Sequence, residues 1–521
     1  VEASEDGGPN KLFWTRLDTI SITLLGTIAA VLRAIGLETP TRGAFDEPFY
    51  TRDACWYVHA SQDLCRVRGE ANLEHPPLGK WFIALGEAGF GNNSVGWRVS
   101  SVIAGVLSVV VIYLLARKLL RSTFAATFAA GLLTVDFLHF VHSRIAMLDI
   151  YIGLFILIAF TCMAWDRDHL LEGRRRLRER PWRAAAGVAA GLAISVKWTG
   201  VLTLAGLVVM SLAWELWARK PASRRRALLG VIRTAGPGLV VAFVVIPTVI
   251  YVTTHIGRVH GAVFALPWEE GSWFENFIDR QQYALRYHID LVLTNPYSSP
   301  PWWWLLLKRG IAYQFDNAGG VYRQLTGAGS PLVWWLSIPA LIATTVIWFR
   351  RNTPERPEGL VLAGFYWNYL PWIAFAGAGF LLGSSRSAVF IFYVVPLLPF
   401  MIIAMASFAQ KLWERVWGKG LVALFMAGVI GLFAFYYPIL TYRPLTRDQW
   451  RARIWIFNAC GRPDRAPLTV YEVTTVNGTP TTKSDTIEKG KQYLPPTGFC
   501  WIQMRLGQTK IDLDSLFRGS L

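Results

Sequence analysis

In the stretch FDEPFYTRDACW, residues 45–56, two carboxylates stand side by side, Asp46 and Glu47. They follow an apolar segment of about twenty residues, long enough to cross a bilayer. A positioned carboxylate can take a proton from a reacting hydroxyl, whereas two acids in water can simply end a helix. The surroundings decide between these, because an acid is costly in hydrocarbon and ordinary in solvent. Four cations, Arg98, Arg144, Lys197 and Arg386, lie near ends of apolar segments. There a cation either stabilises developing negative charge or snorkels to lipid headgroups. His139 and His142 are i and i+3 neighbours able to face one ligand. No third ligand has suitable spacing, so a metal is not expected.

The elements that position these groups are membrane helices. The 521 residues are 53% hydrophobic and 17% charged, with a mean hydropathy of +0.34, the balance of a polytopic membrane protein. The formal charge of +17 raises the question of nucleic acid. However, the basic residues collect in short runs between apolar segments (174–183, 218–226, 349–351), where the positive-inside rule puts cytoplasmic loops, so no nucleic-acid partner is expected. Eleven apolar segments are predicted to span: 17–37, 95–116, 124–142, 145–165, 183–197, 199–217, 228–253, 331–349, 360–383, 388–409 and 420–440. With a cytoplasmic tail at 1–16, the loops at 117–123, 166–182, 218–227, 350–359 and 410–419 all fall inside, and each carries Arg or Lys.

Residues 17–440 thus form an all-α membrane domain with two large outer loops, 38–94 and 254–330, and 441–521 make an extracytoplasmic segment. That segment is polar, with turn signals NGTP and YLPPTG and a strand pattern at 468–473. Cys460 and Cys500 lie in it and can pair if it faces an oxidising compartment, while Cys162 sits in an apolar run as a small core residue. The acidic, polar first ten residues and the long first apolar run give no sign of a cleavable signal peptide. No internal repeat is visible, unlike inverted-repeat transporters. The acidic pair therefore sits at the outer membrane surface.

Further blocks follow in order: EHPPLGKWFIALGEAGFG (74–91), GWRVSS (96–101), SRIAMLDIYIGLF (143–155), SVKWTGV (195–201), NPYSSPPWWWLLLKRGIAY (295–313) and SSRSAVFIFYVVPLLPF (384–400). With FDEPFY, this set resembles the protein O-mannosyltransferases, integral membrane glycosyltransferases of the GT-C fold. The absence of a large repeat insert resembles the bacterial, actinobacterial-type branch. One departure is Asn295, where the family pattern has a His before Pro-Tyr.

The resemblance implies transfer of mannose from polyprenyl-phosphate-mannose to Ser or Thr hydroxyls of exported proteins, with inversion, at the outer face of the plasma membrane. It also implies acceptors met unfolded near the secretion translocon, and a lipid-linked sugar rather than a cofactor. A serine hydroxyl is a poor nucleophile near neutral pH, so a general base is needed, and Asp46 is the candidate. Glu47 would orient the acceptor or the sugar, or strengthen the base by like-charge repulsion. Successive side chains point in different directions, so both are not expected on one hydroxyl.

Arg98, Arg144, Lys197 and Arg386, all within these blocks, are the candidates for the donor phosphate. Asp149 is expected to pair with Arg144 or another cation, as geometry-fixing partner or plain salt bridge. His75 and Lys80 either contact the sugar or shape a turn that the double Pro stiffens, with positioning favoured for His75. Tyr297 and Tyr393 join the positioning set. The stretch 267–288 reads as an amphipathic helix anchored by Trp268 and Trp273, and as a lid with Gln281 or Gln282 reaching inward. Trp302, Trp303 and Trp304 read as an interface belt. The rivals are an arabinosyl or aminoarabinosyl transferase of the same fold, and a transporter, which would bury charge mid-helix.

Overall fold

The computed structural model describes residues 14–59, 61–65, 72–219, 224–255, 273–290, 297–351, 356–381, 389–458, 469–476 and 479–486. In chain order the main helices are α1 (Arg16–Ala34), α2 (Glu47–His59), α3 (Leu78–Phe90), α4 (Ser94–Leu120), α5 (Thr123–Val135), α6 (Phe137–His142), α7 (Asp149–Leu171), α8 (Pro181–Val196) and α9 (Gly200–Ala218). Then come α10 (Leu228–Thr253), α11 (Trp273–Asp290), α12 (Pro331–Arg351), α13 (Pro357–Leu381), α14 (Leu398–Trp413), α15 (Val416–Leu440) and α16 (Arg447–Asn458). Two hairpins complete the list: β1 (Ile311–Ala318) with β2 (Val321–Gly327), and β3 (Thr469–Val476) with β4 (Thr479–Thr486).

Every apolar segment named above carries helix among its described residues, but the segments are not equal. Among the described residues eight helices are long and apolar enough to cross a membrane. The third segment breaks at Asp136, whose extended backbone ends α5 and whose carboxylate caps α6 by accepting from the His139 amide at 3.0 Å. The fifth, α8, has only 16 residues. The ninth, α13, carries Asn368 and Pro371 in an aromatic middle that lowers its hydropathy.

Core and lipid-facing helices differ as burial requires. α7 and the stretch Ile391–Trp413 are enclosed almost all round, whereas α1 and α15 turn Leu17, Leu24, Val31, Leu424 and Ile430 outward. α7 packs on α4 and α8, α4 on α1, α3 and α5, and α14 on α5 and α12. At the end of α7 away from Asp149, the fully buried Arg180 and Arg183 pair with Asp166 and Glu215.

Two loop elements were not foreseen. Gly319 and Gly320 take φ of 59° and 77°, which lets β1 and β2 turn tightly. Within the first loop, Cys55 is bonded to Cys65. Cys460, Cys500, Trp268, Asn295 and Arg386 lie outside the described residues. Cys162 is buried and free. Trp304 is a correction to the belt reading: it is fully buried, its indole N–H donating to the Ser299 carbonyl at 2.8 Å.

Candidate active site

The two adjacent acids part company within one turn of chain. Glu47 is fully buried, and both of its oxygens are occupied. Oε1 accepts from Arg98 Nε at 2.8 Å and the Ala146 amide at 2.6 Å; Oε2 accepts from Arg98 Nη2 at 2.9 Å and the Ala44 amide at 2.7 Å. Arg98 also donates to the Leu37 carbonyl at 3.1 Å. This carboxylate thus ties the end of the α1 loop, α4 and the chain before α7 to one point. Phe45 meanwhile holds a left-handed φ of 53°, a conformation costing about 1–2 kcal/mol for a residue with a Cβ. It is held there by its amide bond to the Tyr313 carbonyl, 3.2 Å, and by edge contacts with Tyr313, Phe390 and Phe392.

The clamped turn leaves Asp46 half-buried, with no side-chain hydrogen bond to any described residue. Burial pushes its pKa up to about 6; Lys197 pulls it down in part and Asp149 adds to the rise. Lys197 donates to both oxygens of Asp149 at 3.0 Å, and its ammonium lies 5.6 Å from the Phe392 ring centre and 5.4 Å from that of Tyr393. The partner of Asp149 is therefore Lys197 and not Arg144. Arg144 precedes α7 and turns back, giving its protons to the carbonyls of Leu32, Arg33 and Gly36 at the end of α1.

The HPPLGKW block forms another wall. Lys80 is wholly buried and donates to Asp53 at 2.8 Å and the Asn72 carbonyl at 2.5 Å, fastening α3 to α2. A Cβ on Gly79 would meet Leu148 at 2.7 Å, so the missing side chain lets α3 approach the start of α7. His75 faces Tyr50 and His288, ring centres 6.1 and 5.7 Å away. Burial, then Lys197, holds its imidazole well below the usual range, hence neutral. Burial also pushes the neighbouring Glu74 up to about 7.

α11 meets both α10 and the HPPLGKW block. Tyr251 donates to Gln281 Oε1 at 2.5 Å while accepting from the Trp198 indole at 2.8 Å, and His288 meets the Glu74 carbonyl at 3.2 Å. Gln282 is exposed, and Tyr297 is buried. Tyr393 stacks on Trp372 at 4.5 Å. These two rings, with Asp149, Ile152, Ile156, Leu202 and Pro396, line a narrow, mostly apolar cleft. His139 and His142 take separate partners, Arg33 and Tyr313.

Sequence reading had passed over Tyr50, Glu74, Trp198, Tyr251 and His288. Two signals were available: Tyr50 stands four residues after Asp46, and Glu74 directly precedes His75.

A half-buried acid and a lysine ion pair thus stand on a bundle of helices long and apolar enough to cross a membrane. The fold is similar to the Saccharomyces cerevisiae protein O-mannosyltransferase Pmt1-Pmt2 complex bound to the sugar donor, with a TM-score of 0.63 and 15% identity over 85% of this chain and 92% of that one. Residues 23–261 match the family dolichyl-phosphate-mannose-protein mannosyltransferase, and residues 273–458 the C-terminal four TMM region of protein-O-mannosyltransferase. The polyprenol-phosphate-mannose–protein mannosyltransferase of Mycolicibacterium smegmatis is 30% identical over 485 residues, 83% of this chain and 91% of the relative. An undecaprenyl phosphate-alpha-4-amino-4-deoxy-L-arabinose arabinosyl transferase of Pseudomonas paraeruginosa is 36% identical, but over only 30% of this chain and 27% of its own. The chain belongs to the protein O-mannosyltransferase family.

Proposed function

We propose that this enzyme transfers mannose from polyprenyl-phosphate-mannose to Ser or Thr hydroxyls of exported proteins, with Asp46 as general base. The carrying observation is the Asp46 carboxylate itself, reachable, free of hydrogen bonds to described residues, and raised to about 6. A base in that range is ionised at neutral pH yet holds a proton well enough to accept one during attack. The acceptor oxygen forms its bond to the anomeric carbon as the bond to phosphate breaks on the opposite face. The proton goes to Asp46 and the electron pair leaves with the lipid phosphate, inverting the β-linked donor to an α-mannoside.

Among the described candidates Lys197 is the cation we assign to that phosphate, since Arg98 and Arg144 are spent on Glu47 and on helix-end carbonyls. Asp149 holds it in place, and Glu47 acts as a positioning residue through the turn it clamps. The cleft below Asp149 and Tyr393 suits the first isoprene units, and His75 and Glu74 suit sugar or acceptor hydroxyls. The reading includes eleven spans, a cytoplasmic amino terminus and an active site on the outer face of the plasma membrane, where acceptors leave the secretion translocon. The positive runs of the opposite loops and the Cys55–Cys65 disulfide in the site's own loop support that orientation. No metal step is assigned.

The test is transfer of radiolabelled mannose from the polyprenyl-phosphate donor to a Ser/Thr-rich peptide by purified protein, with chelator present. Label in the peptide is expected; intact donor binding without label in peptide sinks the protein-directed reading and favours a saccharide or lipid acceptor.

A further inference from the structure

A second cavity, of about 750 Å³, opens at the outer rim on the far side of the Phe45–Tyr313 contact. Its walls are the chain after α1, the β1–β2 hairpin and the chain after α15, and none of the groups placed around Asp46 lines it. α1 ends at Ala34 and α15 at Leu440, so this cavity stands where two lipid-facing spans leave the bilayer. Val31 and Ile35 on one side and Phe435 on the other expose apolar surface there. That is the depth of lipid headgroups.

Three guanidinium groups line it, Arg42, Arg323 and Arg443, and none is in a salt bridge with a described carboxylate. By contrast, Lys80, Arg98 and Lys197 are each bound to an acid. Two acids share the cavity with the arginines. Asp316 accepts from the Tyr442 hydroxyl, and Glu38 is exposed, so three positive charges face two negative ones. Gln314 gives one amide proton to the Tyr442 hydroxyl at 3.3 Å, but its carbonyl oxygen is buried without a hydrogen bond. A buried acceptor in this state calls for a donor.

We propose that this cavity binds the headgroup of an anionic membrane lipid that combines a phosphate with free hydroxyls, apart from the donor site. The phosphate lies among the arginines, which suit its planar, multidentate recognition. A headgroup hydroxyl donates to Gln314. Phosphatidylglycerol has this chemistry, and so does free glycerol phosphate.

The experiment is native mass spectrometry of the full chain with phosphatidylglycerol, phosphatidylcholine or glycerol phosphate, comparing wild type with Arg323→Gln/Arg443→Gln and with Arg323→Lys/Arg443→Lys. Wild type is expected to retain phosphatidylglycerol at least about tenfold over phosphatidylcholine, the Gln pair to lose most of that preference, and the Lys pair to keep part of it, since lysine keeps the charge without the guanidinium fork. Glycerol phosphate retained equally well supports the cavity with a soluble ligand as its source. Equal lipid retention by wild type and the Gln pair overturns the proposal. So does loss of bound sugar donor with phosphatidylglycerol unchanged, which assigns the cavity to the donor. A raised KM for an acidic peptide with lipid retention unchanged also overturns it, in favour of a peptide groove.

Discussion

Asp46 and Glu47 are neighbours in sequence with opposite fates, and their substitutions are expected to fail differently. Asp46→Asn should lower kcat on the order of a hundredfold or more, the scale of lost general-base catalysis, while donor binding persists. Thermal unfolding should not move downward. With the folded pKa near 6, above the ordinary carboxylate value, ionisation costs the native state stability above that pH, and Asn removes the cost. By the same sign, kcat/KM should rise as pH passes upward through about 6 and then level off; a profile flat from pH 5 to 8 would remove Asp46 as the base. Glu47→Ala leaves Arg98 buried and unpaired, and should destabilise by about 3–5 kcal/mol in a denaturation series. The motif FDEPFY marked the pair in the sequence, but the division between them depends on Arg98 and Ala146, far away in the chain. For Asp149 the sequence left the cation open between Arg144 and another, and the structure gives Lys197, because sequence nearness to Arg144 says nothing about which way a guanidinium turns.

At the scale of elements, runs of apolar residues located the eight described helices that are long and apolar enough to cross a membrane, because a bilayer demands long runs and the chain supplies them. They missed the break at Asp136, where one acid inside an apolar run averages away yet caps α6 and accepts from the Trp334 indole at 2.8 Å. The β1–β2 hairpin was signalled by Gly319-Gly320 and overlooked beside so many aromatics. The lid reading of α11 can be tested through its contact with α10. Tyr251→Phe removes the bond to Gln281 and should raise the acceptor KM about fivefold, the worth of roughly 1 kcal/mol, with kcat near wild type. An unchanged KM would make α11 a fixed roof instead.

For the whole molecule, orientation is the property on which every other assignment rests. In a Cys162→Ser/Cys460→Ser/Cys500→Ser background, a membrane-impermeant maleimide applied to intact cells should label Asn317→Cys in the β1–β2 hairpin and spare Glu172→Cys beyond α7; the reverse pattern would invert the topology. Charge bias alone carried that reading in the sequence, since Arg and Lys crowd one set of loops. The four-bond grip on Glu47 has a further consequence during biosynthesis. Its donors come from Ala44, Arg98 and Ala146, so a nascent chain with only its first helix inserted owns the acid but not the clamp that aims it. The clamp is therefore complete only once the stretch ahead of the α7 span has emerged, and a shorter nascent chain carries the acid without the grip that aims it.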